Sequence, residues 1–186
     1  MSGLIYKTTS FLLLLMLLVA CENDIEKINL LNTSGEYPSL VGEDIEVIYS
    51  DSAMVKAQMF AKSMKQFDNV EKPYIEFPEG IKVYVFDEQL EIESVIQANY
   101  AIYHIDEKRW HATGNVIAEN FKSGERLDTE ELFWDEEKEE IYSNSYTRIV
   151  NENGTFYGQN GFTSNQTFTD YTLIGSKGVV KIKDDE

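Results

Sequence analysis

Side chains able to do acid–base, nucleophilic or metal chemistry are few in kind. Among 186 residues there are two histidines and one cysteine, against 33 Asp and Glu. His104 and His111 stand in strand-like text, with no H-E-x-x-H pair, no nucleophile elbow and no glycine-rich phosphate loop in the chain. His111 reads as a surface or hydrogen-bonded histidine. So many carboxylates allow an acid–base pair to be drawn anywhere, which points nowhere. Asn151-Glu152-Asn153-Gly154 opens like a calcium loop but lacks the closing acidic ligand, and a hairpin turn explains it better. No enzyme, metal or cofactor is expected. A formal charge of −17 disfavours partners held through phosphate contacts, so nucleic acid is not an expected partner either. Asp51-Ser52-Ala53 resembles a three-residue signal for bacterial O-glycosylation, short enough to arise often by chance.

The one side chain whose setting specifies a reaction is Cys21. Lys7 precedes the apolar run Phe11 to Ala20, which is about 15 Å long as a helix, half of a ~30 Å hydrocarbon core. A basic start, a short apolar middle and small residues before a break are the layout of a signal peptide. Leu18-Val19-Ala20-Cys21 resembles the bacterial lipobox, in which the sulfur takes a diacylglyceryl group and the cysteine becomes the new N-terminus. Two or three acyl chains, at ~0.8 kcal/mol per buried CH₂, anchor a protein almost permanently. The expected organisation is a signal peptide over 1–20, a lipidated Cys21 and tether over 21–40, and a folded domain over 41–186. Fifteen basic against 33 acidic residues would leave the mature chain at −18.

The domain that such an anchor must hold is written in strands. Ile81 to Phe86, Leu90 to Glu93 and Ala98 to Tyr103 alternate with period two, and Glu79-Gly80, Ser123-Gly124 and Asn153-Gly154 mark turns between them. Ser52 to Phe67 is rich in helix formers, but Val55, Ala57 and Met59 alternate with Lys56 and Gln58, and we read strand. Tyr103 to Trp110 repeats the pattern of Trp134 to Ile141 about thirty residues on, an aromatic residue, a charged turn and an apolar strand opening, each followed by a glycine turn. The fold class is all-β, antiparallel, built by adding hairpins along an axis.

Trp110-His111-Ala112-Thr113-Gly114-Asn115-Val116, then Gly124, Leu127, Thr129-Glu130-Glu131-Leu132-Phe133-Trp134-Asp135, Ile141-Tyr142-Ser143 and Gly154-Thr155-Phe156-Tyr157-Gly158 resemble the LptC family, whose relatives are the LptA and OstA-like proteins of lipopolysaccharide export. The resemblance runs from about Val41 to Ile182. Here Gly158-Gln159-Asn160-Gly161-Phe162 carries one residue more than the family pattern, which suggests a bulge, and a lipobox stands where the family often has a transmembrane anchor.

The resemblance implies an OstA-like β-jellyroll, two sheets enclosing an apolar groove, lipid-anchored and periplasmic, most simply on the inner membrane. It would accept lipopolysaccharide from an inner-membrane export ABC transporter of LptBFG type and pass it to an LptA-like periplasmic jellyroll. Strand parity makes Trp110, Ala112, Val116, Leu132, Trp134, Ile141 and Ile149 candidates for the groove, with Val83, Val85, Ile92, Tyr100, Ile102 and Phe156 beside them and Glu119, Glu131 and Asp135 outside. An ordinary filled core would show the same pattern. The run Asp135 to Glu140 reads as a solvated turn. Edge strands able to pair with neighbouring jellyrolls are expected at Val41 to Tyr49 (Val47, Tyr49) and at Val179, Val180 and Ile182, where Lys177, Lys181 and Lys183 equally suit charges that block pairing. The alternative is a surface lipoprotein whose β-sandwich binds a glycan or protein, with Tyr142, Tyr146, Tyr157 and Tyr171 as a sugar platform.

Overall fold

Period-two patterning is realised as strands in a computed structural model, which describes residues 37–165, 168 and 170–180. In chain order they are β1 (Leu40–Asp51), β2 (Met54–Phe67), β3 (Tyr74–Phe77), β4 (Ile81–Phe86), β5 (Ile92–Ala98), β6 (Tyr100–His104), β7 (Arg109–Asn120), β8 (Glu125–Asp135), β9 (Glu140–Ser143), β10 (Thr147–Asn151), β11 (Gly154–Gly158), β12 (Phe162–Asn165), β13 (Tyr171–Leu173) and β14 (Ser176–Val180). The fold is all-β, and every ladder is antiparallel. The expected signal peptide, Cys21, most of the tether and Ile182 lie outside the described residues.

The sheet is continuous and is folded along a line that crosses its strands. β2 gives Ala57–Phe60 to β4 and Lys65–Phe67 to β3. β7 gives its first half to β6 and its second to β5, while β8 gives Arg126–Thr129 to β10 and Phe133–Asp135 to β9. One wall therefore holds β3, β6, β9, β12, β13 and the adjoining halves of β2, β7 and β8. The facing wall holds β4, β5, β10, β11, β14 and the other halves. This is the two-walled arrangement of a β-jellyroll. The segment with helix-forming composition is strand because β1 and β4 ladder it from both sides and Met59 and Ala61 reach the core.

β7 and β8 each carry an irregularity where they cross the fold line. β7 shifts register between Thr113 and Val116, with Gly114 and Asn115 at φ of 75° and 50°. In β8 the inward set changes from Leu127 and Thr129 to Leu132, a parity switch across Glu130-Glu131. The β5–β6 corner turns at Asn99, whose N–H donates to the Gly114 carbonyl at 2.9 Å, so adjacent corners are stitched together. The β11–β12 corner holds the extra residue of Gly158 to Phe162. It is a chain crossing from wall to wall and not the bulge expected: Gly161 sits at φ 100° with its missing Cβ 1.8 Å from the Ser143 carbonyl oxygen.

The other positive-φ residues, Ser52, Ala53, Leu90, Lys108, Gly124, Glu139, Gly154 and Phe168, mark the hairpin tips, with Asp44 in β1 and Gly80 and Gly175 at corners. The turns at 105–108 and 136–139, which close the repeated unit, are equivalent hairpins, β6–β7 and β8–β9. Asp135 is the exception to a solvated acidic turn. It is only 6% exposed; its carboxylate pairs with the Lys138 ammonium and accepts from the Lys138 backbone N–H at 3.0 Å, and the ammonium first, then the backbone N–H, hold its pKa below the ordinary range.

Two glycine substitutions separate corner from tip. Gly161→Ala meets both a positive φ and backbone contact and is expected to cost about 3 kcal/mol or more. Gly124→Ala, with φ 67° and nothing within 4 Å of the new methyl, should cost about 1 kcal/mol. Urea unfolding of the two variants measures the difference, and equal losses would contradict the corner's steric role.

Candidate groove between the two walls

Folding the sheet turns one side-chain set of each wall toward the other. In the second wall the ladders join Val47, Met59, Val83, Ile96, Ala118, Leu127, Ile149, Phe156 and Gly178 into one row, each residue opposite the next. Eight strand spacings of ~4.8 Å make it roughly 40 Å long, and it contains no polar side chain. The first wall answers with Phe77, Ala101, Ala112 and Leu132, opposite one another in turn, and with Trp110, Trp134 and Ile141 one row further out. Phe162, on β12 further along the same wall, is fully buried.

Exposure along the rows is uneven. Val116, Ile149, Leu127, Leu132, Ile141 and Ala112 form a packed centre. Toward the ends the packing opens: Val47 is 44% exposed, and Val83, Val85 and Phe156 are half-buried. At the far end a depression of about 400 Å³ is lined by Phe156, Tyr171, Leu173, Asn151, Asn153 and Ser176, between β10, β11 and β14 on one side and β13 on the other. Its volume is within the ~300–1,000 Å³ range of small-molecule sites. A second depression, about 420 Å³, lies at the fold line near β1, with Ile45, Ala61, Ile81 and Ala98 in its lining. The structure thus combines a filled centre with openings.

A cluster of buried hydroxyls marks the seam. Thr129 Oγ1 lies 3.1 Å from Ser143 Oγ and 3.3 Å from Thr147 Oγ1 and donates to the Tyr146 carbonyl at 3.2 Å; Thr147 Oγ1 donates to the Ser145 carbonyl at 3.0 Å. These hydroxyls satisfy backbone groups that lose ladder partners where β9 passes into β10. At the open end Asn151 Nδ2 donates to the Tyr171 hydroxyl across the gap at 3.4 Å. Burial, reinforced by the Glu125 carboxylate, raises the Tyr171 pKa.

Register assigns the expected site residues to faces. Val83, Val85, Trp110, Ala112, Val116, Leu132, Trp134, Ile141, Ile149 and Phe156 are on the inward side. Trp134 is 36% exposed, near the tips, and Trp110 beside it stacks on Phe77 at 5.8 Å and donates to Glu136. Ile92 shares the parity of Ile96 but sits beyond a register shift, 45% exposed at a tip. Tyr100 and Ile102 face the other way, because β6 turns Ala101 and Tyr103 inward. Tyr100 donates to Glu76 at 3.0 Å, and burial with that carboxylate pushes its pKa up to about 12. Ile102 opens an outward row with His111, Phe133 and Tyr142, whose rings stack at 4.2 and 4.8 Å while His111 Nε2 lies 3.0 Å from Glu131. Met59, Ile96, Ala118, Leu127, Phe77, Ala101 and Phe162 also belong to the interior, beyond the expected set; extending the period-two pattern to both ends of each strand finds them.

The four tyrosines of the sugar-platform reading are dispersed. Tyr142 is in the outward stack, Tyr146 and Tyr157 stack at 5.9 Å, and Tyr171 faces the interior. Among the described residues the edge strands are β1, β13 and β14. β1 ladders only with β2 and β14 only with β11 among the described residues, and Val47, Tyr49 and Val179 are exposed, at 44%, 61% and 70%.

Residues 10–179 match the family described as lipopolysaccharide-assembly, LptC-related. The chain belongs to the LptC family. No curated protein matches it. Membership makes this LptC-family protein an envelope component of lipopolysaccharide transport. In this LptC-family chain Ala112 to Val116 and Thr129 to Trp134, which carry the resemblance, are the corner segments of β7 and β8.

Interior and edge side chains of the protein should differ in what they support. Ile149→Ala, at 2% exposure, is expected to destabilise the fold by about 2–5 kcal/mol. Val179→Ala, at 70%, should change stability by less than about 0.5 kcal/mol. Chemical denaturation of both variants checks the split.

Proposed function

We propose that this chain is a lipoprotein that relays lipopolysaccharide without catalysis. Its signal peptide, residues 1–20, is removed and Cys21 is acylated, so that the domain stands in the periplasm beside the inner membrane. It accepts lipopolysaccharide from an export ABC transporter of LptBFG type and passes it to an LptA-like jellyroll. The observation that carries this reading is the unbroken apolar row from Val47 at the β1 edge to Gly178 at the β14 edge. Acyl chains in water forfeit ~0.8 kcal/mol per CH₂, so a path across an aqueous compartment needs an apolar lining that ends at both neighbours. An edge strand with free backbone groups at each end gives each neighbour a strand to pair with. Val47 and Tyr49 in β1, and Val179 and Val180 in β14, are the contacts we assign to those pairings, together with Ile182 beyond it. The acidic surface supports a cargo held by its tails, since its phosphates gain nothing from a protein of charge −17.

Adjacent residues on opposite faces provide the test. A photo-crosslinking amino acid at Val83 or Phe156 is expected to capture lipopolysaccharide in cells, whereas one at Tyr84 or Tyr157, each a single residue away on the outer face, is expected to capture none. Depletion should make lipopolysaccharide accumulate at the inner membrane. Equal capture from both faces, or traffic untouched by depletion, would refute the relay.

A further inference from the structure

The β1–β2 hairpin departs from the turn chemistry its geometry asks for. Two-residue turns with positive φ at both central positions select Asn-Gly, Asp-Gly or Gly-Gly. Here Ser52 and Ala53 hold φ of 53° and 62°. Asp51, Ser52 and Ala53 are all exposed, so packing does not explain the choice. The Ser52 hydroxyl donates to the Asp51 carboxylate at 3.3 Å. The hydroxyl is thus exposed and oriented, with an acceptor for its proton beside it, and the small Ala53 leaves its approach open. The chain has one other Asp followed by Ser or Thr, Asp128-Thr129, and that hydroxyl is buried against Ser143. Geometry therefore singles out the same triplet that resembles an O-glycosylation signal.

We propose that Ser52 is an O-glycosylation site, which rests on the export reading above because the donor is presented outside the cytoplasmic membrane. The donor class is a polyprenyl-diphosphate-linked glycan. Ser52 Oγ attacks the anomeric carbon, the bond from that carbon to the diphosphate oxygen breaks, polyprenyl diphosphate leaves with the electron pair, and the hydroxyl proton departs through the Asp51 carboxylate to solvent. A sugar adds bulk without charge. A phosphate on the same oxygen would crowd a dianion against Asp51 in a chain already at −17.

Peptide mass spectrometry on the full-length protein purified from its native host tests this, with protease accessibility in spheroplasts measured on the same cells. The expected result is a glycan mass on the peptide spanning 51–53, lost in Ser52→Ala and in Asp51→Asn and retained in Ser52→Thr, with unchanged thermal melting of all three. An unmodified Ser52 in a protein that protease reaches from outside overturns the site and leaves export standing. An unmodified Ser52 in a protease-shielded protein overturns both. A phosphate on Ser52 also overturns the glycan assignment.

Discussion

Everything in this fold depends on bending a continuous antiparallel sheet across its own strands without losing either the hydrogen-bond ladders or the inward direction of the apolar side chains. A strand alternates faces with period two, so a corner that adds or drops a residue reverses which set looks inward. β8 uses that reversal at Glu130-Glu131, passing from an odd-numbered to an even-numbered inward set. β7 instead keeps its parity and accommodates the bend with Gly114 and Asn115 in left-handed conformations. Neighbouring corners then have to satisfy one another's backbone groups, which the Asn99 N–H does for Gly114 and the Thr129–Ser143–Thr147 hydroxyls do for the β9–β10 link. The seam is polar because it must be. The rows on either side of it are apolar.

That division decides which features of the molecule are legible in its amino-acid sequence. Strands and hairpin tips are legible because their signals are local: alternation in Ile81 to Phe86, Asn153-Gly154 at a tip, and in β2 an alternation that outweighs helix-forming composition. The face each strand presents is legible only where parity runs uninterrupted. Tyr100 and Ile102 pass for lining residues because β6 alone does not say which alternate set meets Ala112, a fact fixed by pairing with β7. The burial of Asp135 and the crossing at Gly161 are illegible for a related reason. Each depends on what another segment brings alongside, Lys138 in one case and the Ser143 carbonyl in the other.

The family-like motifs occupy an informative position in this scheme. Ala112-Thr113-Gly114-Asn115-Val116 and Thr129 to Trp134 contribute their apolar members to the interior, but their distinctive members, Gly114, Asn115, Glu130 and Glu131, are corner residues. They specify that the sheet folds and where. They do not specify what the fold holds, so the lining rests on alternation, which recovers only part of it.

Distribution of burial along the apolar rows bears directly on how such a domain can both be stable and carry a lipid. A trough open throughout would leave its lining in water and forfeit about 25 cal/mol for each Å² of apolar surface left uncovered. A trough closed throughout would have no space for cargo. Here Val116 and Leu127, both fully buried, lie on strands shared by the two walls, Ile149 and Phe162 are buried one and two strands beyond β8, and the openings lie toward the edges. Beyond the last shared strand, β8, the second wall continues as β10, β11 and β14 and the first as β9, β12 and β13. No ladder joins β13 to β14 among the described residues, and the Asn151–Tyr171 hydrogen bond at 3.4 Å spans the gap between their walls. Backbone continuity thus maintains the fold line, while the gap at the C-terminal edge is bridged by side chains, which rearrange at far lower cost than a ladder. The part of the domain best able to open is therefore the part nearest its C-terminal edge strands.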